Sequence, residues 1–183
     1  MAASKRTGDA RSDEDLLQVE RDVRARIGHR ALEFDAMQAI SNIYRAATAV
    51  RRRAEREVLG EAGLSWGGFT ILWVLWIWGG METSRLASEC GLAKGTLTGM
   101  LTTLEAQGLV TRTRPDADRR RMLVRLTPRG TRTISRLFTR FNAFESAMCD
   151  GLSGSEQRTL AALLRRIVDT ADDGRATDPA AAG

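Results

Sequence analysis

Residues 93–130 decide the fold, and they read AKGTLTGMLTTLEAQGLVTRTRPDADRRRMLVRLTPRG. The first part spaces Leu97, Leu101 and Leu104 three and four residues apart, which predicts a helix with one apolar face. Gly108 ends this helix, because glycine is common just beyond a helix end. With the leucines turned inward, the opposite face carries mostly glycine and threonine.

The second part of the same stretch predicts a β-hairpin with a basic tip. Residues 110–114 and 122–126 alternate apolar and polar side chains, as half-buried strands do. Residues 115–118 (PDAD) are typical of a turn, and three consecutive arginines follow them. Thr127 is then expected to cap a further helix that has Pro128 at its first position.

Residues 83–92 predict the first helix of a helix-turn-helix. Thr83 is expected to cap it, Leu86, Ala87 and Cys90 lie on its inner side, and Gly91 supplies the turn. A helical pair alone is a weak signal, because ordinary helical hairpins look similar. The hairpin downstream makes the pattern more specific.

The segment from 66 to 78 holds all four tryptophans and is apolar nearly all round, which predicts a buried central helix capped by Ser65. Long helices with a single apolar stripe lie on both sides of the central region. The last of them begins with a capping box formed by Ser153 and Glu156. Single stripes need a partner surface, so we expect a homodimer; the alternative is a monomer that packs its own end helices together.

Positive charge is concentrated in the middle of the chain. The net charge is +5, but residues 83–140 hold 12 Lys/Arg and 4 Asp/Glu, a net of +8. The remainder holds 16 Lys/Arg and 19 Asp/Glu, a net of −3. A localised basic surface is the electrostatic footprint expected of nucleic-acid binding.

Composition argues against several other classes of protein. The longest strongly apolar run, residues 69–78, is far shorter than the roughly 20 residues of a membrane-spanning helix, so we expect a cytoplasmic protein. Two cysteines and a single histidine argue against a disulfide framework and a zinc cluster. The sequence has no recognisable Ser/His/Asp set or phosphate loop, so we expect no enzyme, no catalytic residue, no cofactor and no metal.

Residues 64–130 resemble the winged-helix core of MarR-type (multiple-antibiotic-resistance type) transcription regulators. The match rests on LEAQGLV at 104–110, on DRR at 118–120 and on LTPRG at 126–130, which together are specific although each alone is not. The helical flanks extend the resemblance to about residues 32–170. Two positions depart from it: many relatives have serine where Ala93 stands, and many have a base-contacting arginine where Gly99 stands.

The resemblance implies a mainly α fold with a small β-hairpin, in which a winged helix-turn-helix core lies between N- and C-terminal dimerisation helices. The expected organisation is a disordered tail at 1–11, an extension helix at 12–30, dimerisation helices at 31–63 and 131–172, the DNA-binding domain at 64–130 and a second disordered tail at 173–183. Small anionic or aromatic effectors are common in the family. Four residues could line an effector pocket, although each fits a core or surface position better: His29, Tyr44, Arg51 and Trp66.

Two surfaces are expected to contact DNA. The outward face of the second helix would enter the major groove, and one arginine of the hairpin tip would enter the minor groove, as the resemblance implies. Asp118 is expected to pair with Arg112 or Arg114 and so to fix the tip. The predicted DNA-binding residues are Thr83, Arg85, Lys94, Gly95, Thr96, Thr98, Thr102, Arg112, Arg114, Asp118, Arg119, Arg120 and Arg121.

The leading hypothesis is therefore a dimeric regulator that binds double-stranded DNA at an inverted-repeat operator and responds to a ligand as a repressor. The alternative is a winged-helix module that binds other proteins without specific DNA binding.

Overall fold

The structure is a computed structural model that describes residues 16–114 and 121–173. Within these residues the chain forms seven α-helices and three short strands, which confirms the predicted mainly α fold. The helices are α1 (Gln18–Ile27), α2 (Phe34–Ala54), α3 (Trp66–Trp78), α4 (Thr83–Glu89), α5 (Lys94–Ala106), α6 (Pro128–Met148) and α7 (Gly154–Asp172). The strands are β1 (Met81–Glu82), β2 (Val110–Thr113) and β3 (Leu123–Leu126).

The chain divides between Ala49 and Val50 into two compact units. In the first unit, Glu20 of α1 is a buried charged residue. Its carboxylate accepts the Leu17 backbone N–H at 2.8 Å and the Asn42 side-chain amide at 2.8 Å. These hydrogen bonds favour the charged form and lower the pKa of Glu20, with Arg45 contributing at 3.9 Å. The carboxylate therefore links α1 to α2 within this unit.

Helix α3 forms the centre of the second unit, as its apolar sequence predicts. Ser65 accepts the Gly68 N–H at 3.2 Å, which confirms it as the cap, and Glu55 accepts the Trp66 N–H at 2.9 Å. Glu55 belongs to a π-helical turn, Glu55–Leu59, that follows α2 and leads into a 3-10 turn, Gly60–Ala62. The Phe69 ring packs on Phe141 of α6 with ring centroids 4.3 Å apart.

The three strands form an antiparallel sheet in the order β1-β3-β2. Val110 pairs with Leu126 in the predicted hairpin, and Met81 pairs with Val124 on the other side of β3. The sequence did not predict β1, because a two-residue strand is too short to show alternation. This strand joins the start of α4 to the hairpin.

Thr127 and Gly130 fix the start of α6 against the end of the α5–β2 connection. The Thr127 hydroxyl accepts the Gly130 N–H at 2.9 Å and donates to the Gly108 carbonyl at 2.7 Å, which confirms the predicted cap. A Cβ atom at Gly130 would lie closer than 3.0 Å to the carbonyl oxygen of Leu109. Only glycine allows α6 to approach the chain this closely.

Several sequence expectations fall outside the described residues. They include the tail at 1–11, the tail beyond Asp173 and the first residues of the predicted extension helix. The predicted domain boundaries therefore stay predictions. Among residues 16–114 and 121–173, no single helix is long and apolar enough to cross a membrane.

Candidate nucleic-acid interface

Helices α4 and α5 form the predicted helix-turn-helix. Leu86 is fully buried beneath the pair, and Gly91 makes the turn with φ +62°, a conformation that favours glycine. The expectation for Thr83 is wrong in one respect: Glu82 occupies the cap position, and Thr83 is the first helical residue. The Thr83 N–H instead donates to the Met122 carbonyl at 3.0 Å, which ties α4 to the base of the hairpin.

Helix α5 has the predicted inward and outward faces. Leu97, Leu101 and Leu104 are each no more than 2% exposed. On the outward face, a Cβ atom at Gly95 or Gly99 would meet no atom within 4 Å. All the residues predicted to contact DNA from this helix are exposed: Lys94, Gly95, Thr96, Thr98 and Thr102.

The threonine hydroxyls of α5 are engaged by the helix itself. Thr98 donates to the Lys94 carbonyl at 2.9 Å, and Thr102 donates to the Thr98 carbonyl at 3.1 Å. Thr103, which the sequence reasoning missed, donates to the Gly99 carbonyl at 3.3 Å and is also exposed. Because each hydroxyl hydrogen is used within the helix, these side chains present methyl groups and oxygen acceptors to solvent.

Arg112 of β2 is held by Glu105 of α5. Its Nε donates to the Glu105 carboxylate at 3.0 Å, its terminal nitrogen donates at 2.5 Å, and its backbone N–H donates at 3.2 Å. The guanidinium lowers the pKa of Glu105 through these hydrogen bonds and its charge. The sequence reasoning proposed Asp118 as the partner of Arg112 or Arg114 and missed Glu105. The sequence signal for this pair was a carboxylate seven residues before the arginine, on the other side of the end of α5.

The hairpin tip lies outside the described residues, and with it Asp118, Arg119 and Arg120. Arg121, at the first described position after the tip, pairs with Glu82 of β1 and is 59% exposed. Arg85 pairs with Glu89 one turn along α4, at 3.4 Å. Among the predicted DNA contacts that the structure describes, Lys94 and Arg114 have side chains with no ion pair to another described residue.

Of the remaining sequence candidates, Cys90 and Trp66 pack against the core of the second unit. Burial raises the pKa of the Cys90 thiol to about 11, with Glu89 adding to the effect, so the thiol is protonated at neutral pH. Trp66 packs on Phe69 and Phe141 with ring centroids 6.4 Å and 5.8 Å apart. Tyr44, in the first unit, is 72% exposed.

Comparison with known proteins agrees with this geometry. A family model described as "MarR family" matches residues 64–122. The uncharacterized HTH-type transcriptional regulator YwaE of Bacillus subtilis is 34% identical over 139 residues, which cover 76% of this chain and 81% of YwaE.

Solved structures with the same fold include two regulators. PcaV from Streptomyces coelicolor, in complex with its natural ligand, superposes with a TM-score of 0.68 and 25% identity, covering 78% of this chain and 99% of PcaV. BpsR of Bordetella bronchiseptica, whose DNA binding is described as regulated by 6-hydroxynicotinic acid, superposes with a TM-score of 0.67 and 22% identity. That superposition covers 72% of this chain and 98% of BpsR.

Proposed function

Because the chain belongs to the MarR family of winged helix-turn-helix transcriptional regulators, we propose that it binds an inverted-repeat operator as a homodimer and represses transcription until a small molecule binds. The observation that carries this proposal is the exposed, flat face of α5, which lies on a fully packed leucine face beside the basic hairpin. A helix of this kind fits the major groove, which is about 12 Å wide.

Helix α5 reads thymine methyl groups in this proposal. Its outward face has no arginine, asparagine or glutamine, the side chains that read guanine and adenine in bidentate fashion. It presents instead the methyl groups of Thr98 and Thr102 beside Gly95 and Gly99. Lys94, which has no ion pair to a described residue, supplies the contact to guanine or phosphate.

Thymine-to-deoxyuridine substitution tests this reading without changing base pairing. In a selected operator, replacing single half-site thymines should weaken binding at the positions that face α5 and leave flanking positions unchanged. Loss of a methyl contact corresponds to about 1 kcal/mol, or roughly fivefold in Kd. Unchanged affinity at every half-site position would rule out methyl recognition while leaving the proposed DNA binding intact.

The hairpin tip supplies the minor-groove contact through Arg119 or Arg120. The support is the run of arginines in the sequence and the anchoring of both sides of the hairpin base, by Glu105–Arg112 and by Glu82–Arg121. The double variant R119A/R120A should bind the operator at least about tenfold more weakly, and its affinity should fall less steeply with salt, because fewer counterions are released. The variant R132A/R158A removes two exposed charges outside the hairpin, one on α6 and one on α7, and should bind the operator with the affinity of the parent.

The dimer forms in part through α7. None of the described residues of α7 is buried, although the helix carries an apolar stripe. Leu160, Leu163 and Val168 are 45%, 48% and 56% exposed in the single chain. The substitution L163E should convert the dimer to a monomer in light scattering and abolish high-affinity operator binding. R158A, on the opposite face of the same helix, should remain dimeric.

In the proposed dimer, the two α5 helices would enter major grooves about 34 Å apart.

A small-molecule effector is the proposed signal, since the regulator PcaV superposes on most of this chain and is described with a natural ligand.

The alternative function, a protein–protein interaction module, is tested by the same DNA selection that would identify the operator. Selection of bound fragments from a random DNA pool should enrich a palindrome. Failure to enrich any sequence, with the protein folded and dimeric, would favour the interaction module.

A further inference from the structure

Much of the positive charge of the chain lies outside the residues predicted to contact the operator. Residues 121–140 contain six arginines and no aspartate or glutamate, a net charge of +6 over 20 residues. Only the first of the six, Arg121, belongs to the predicted DNA contacts, and it pairs with Glu82. The other five carry charge that operator binding by α5 and the hairpin tip does not use.

Four of these arginines lie on one side of α6. They follow one another at intervals of three and four residues, a spacing that places side chains on the same face of a helix. All four are exposed: Arg129, Arg132, Arg136 and Arg140. Arg140 is paired with Glu61 at 2.5 Å, whereas the other three make no ion pair to any described residue. These three arginines are the α6 basic face.

The helix that carries the α6 basic face is held in place by the core. Its opposite side packs into the second unit, where four side chains are at most 7% exposed: Ile134, Leu137, Phe141 and Phe144. A partner of the basic face therefore need not order the backbone when it binds, which removes one cost of association.

The surroundings of the α6 basic face suit a phosphate backbone better than a protein. Ser135 and Thr139 are exposed and place hydroxyl groups near the arginines, and arginine, serine and threonine commonly contact DNA phosphates. The core of a protein–protein interface is instead apolar and poor in charge. Of the described large hydrophobic side chains that are exposed, none belongs to α6. A two-fold contact between copies of this face would bring like charges together.

The α6 basic face is separated from the start of α5. Arg129 Nη1 lies 4.0 Å from the position that a Cβ atom would take at Gly108, just beyond the end of α5. Lys94 is at the other end of this helix, whose 13 residues extend about 20 Å. At physiological salt the Debye length is about 8 Å, so a phosphate held at Lys94 is screened from Arg129. The face can therefore act on DNA that α5 does not hold.

We propose that the α6 basic face binds the phosphate backbone of double-stranded DNA outside the operator, without reading its sequence. Each guanidinium can bind a phosphate through two parallel hydrogen bonds. The outer two arginines of the face are seven residues apart, about 10 Å along the helix axis, so the face can contact several phosphates of one strand. The proposal rests on the proposed function in one respect, the assignment of α5 and the hairpin tip to the operator.

Binding of a random-sequence duplex tests the proposal in a full-length variant, K94A/R119A/R120A, that lacks the cations of α5 and the hairpin tip. Adding R129Q/R132Q/R136Q to this variant should weaken binding at least about tenfold at low salt. The slope of log Kobs against log salt should become shallower by about 2 or more, since each lost phosphate contact contributes about 0.9.

The matched control removes the same charge from other surfaces. R52Q/R158Q/R165Q changes three exposed positions on α2 and α7, and in the same background it should leave the affinity within about threefold. Circular dichroism verifies the fold of each variant, and light scattering verifies an unchanged oligomeric state. If the triple α6 variant does not fold, R132Q replaces it, with an expected change in slope of about 0.9.

Operator binding is a separate measurement, made with a duplex of operator length at about 0.15 M salt. In the otherwise unaltered chain, R129Q/R132Q/R136Q should bind this duplex within about twofold of the parent. Retention of a separate labelled random duplex by the operator complex identifies a second duplex as the partner. Tighter binding only to an operator with long flanks identifies the flank. Failure of the parent to bind any operator would contradict the proposed function and leave the result on random DNA unaffected.

Three results would overturn the proposal. The first is equal binding of random DNA by the α6 variant and the matched control. The second is a loss of operator affinity in the α6 variant as large as its loss on random DNA, which would place the face within the operator contact. The third is loss of binding to poly-L-glutamate with unchanged binding to DNA, which would identify an acidic protein as the partner.

Discussion

Gly99→Ala should make the free protein more stable and the DNA complex weaker. Gly99 lies inside α5, and an added Cβ would meet no atom within 4 Å. Alanine in an exposed helix interior is about 0.8–1.0 kcal/mol more favourable than glycine. The free energy of unfolding should therefore rise by about 1 kcal/mol, which for a chain of this length raises Tm by roughly 2–4 °C.

In the proposed DNA complex, the same methyl group would stand between the backbone of α5 and the floor of the major groove. Inserting a methyl group into a packed contact costs about 1–3 kcal/mol. Operator affinity should therefore fall by roughly 5- to 150-fold. Urea unfolding followed by circular dichroism measures the stability, and fluorescence anisotropy with a selected operator at fixed salt measures the affinity.

Gly154→Ala provides the matched control. Gly154 is the first residue of α7, and a Cβ there would make only ordinary contact with Arg158 at 3.5 Å. This variant should leave operator affinity unchanged. Operator binding by Gly99→Ala that equals or exceeds the parent's would refute close approach of the α5 backbone to DNA. A loss of stability in the same variant would contradict the observation that an added Cβ at Gly99 meets no atom within 4 Å.

Three further predictions concern the fold that positions the interface. Gly130→Ala should lower the free energy of unfolding by about 1–3 kcal/mol in urea titration, because its Cβ would overlap the Leu109 carbonyl; unchanged stability would contradict the packing. Leu101→Ala should cost about 2–5 kcal/mol in the same titration, since this side chain is 1% exposed beneath the interface, and a cost below 1 kcal/mol would contradict its burial. Arg112 lowers the pKa of Glu105, so the pair stabilises the fold above the ordinary carboxylate pKa of about 4.3 and is lost as pH falls through the lowered value. Glu105→Gln should therefore make stability less dependent on acid pH, and an identical pH profile of unfolding would show that the pair contributes nothing.

The helices could be predicted from sequence because their signals are local. Leucines at helical spacing place the inner face of α5, and side-chain caps mark the starts of α3, α6 and α7 at Ser65, Thr127 and Ser153. Each of these features depends on residues within one or two turns of one another. Local periodicity and capping chemistry are therefore sufficient to find them.

The connections between elements could not be predicted in the same way. Strand β1 has two residues and forms only because it pairs with β3. Arg112 had several acidic residues within reach along the chain, and only the fold decides that Glu105 is the one that meets it. The sequence predicts Arg121 as a DNA contact of the hairpin tip, yet its side chain pairs with Glu82, which lies 39 residues earlier. Such pairings depend on long-range geometry that a residue pattern does not contain.

The salt bridge between Glu105 and Arg112 has a consequence for how such a regulator can be switched. It attaches α5 to β2, while the Thr83 N–H donates to the Met122 carbonyl just before β3 and Glu82 pairs with Arg121. A winged helix held at both ends resists internal distortion, so in the proposed dimer a signal would act at least cost on the distance between the two winged helices. Affinity for DNA with a single half-site, bound by one winged helix, should then be the same with and without the signal. Affinity for the full palindrome should change.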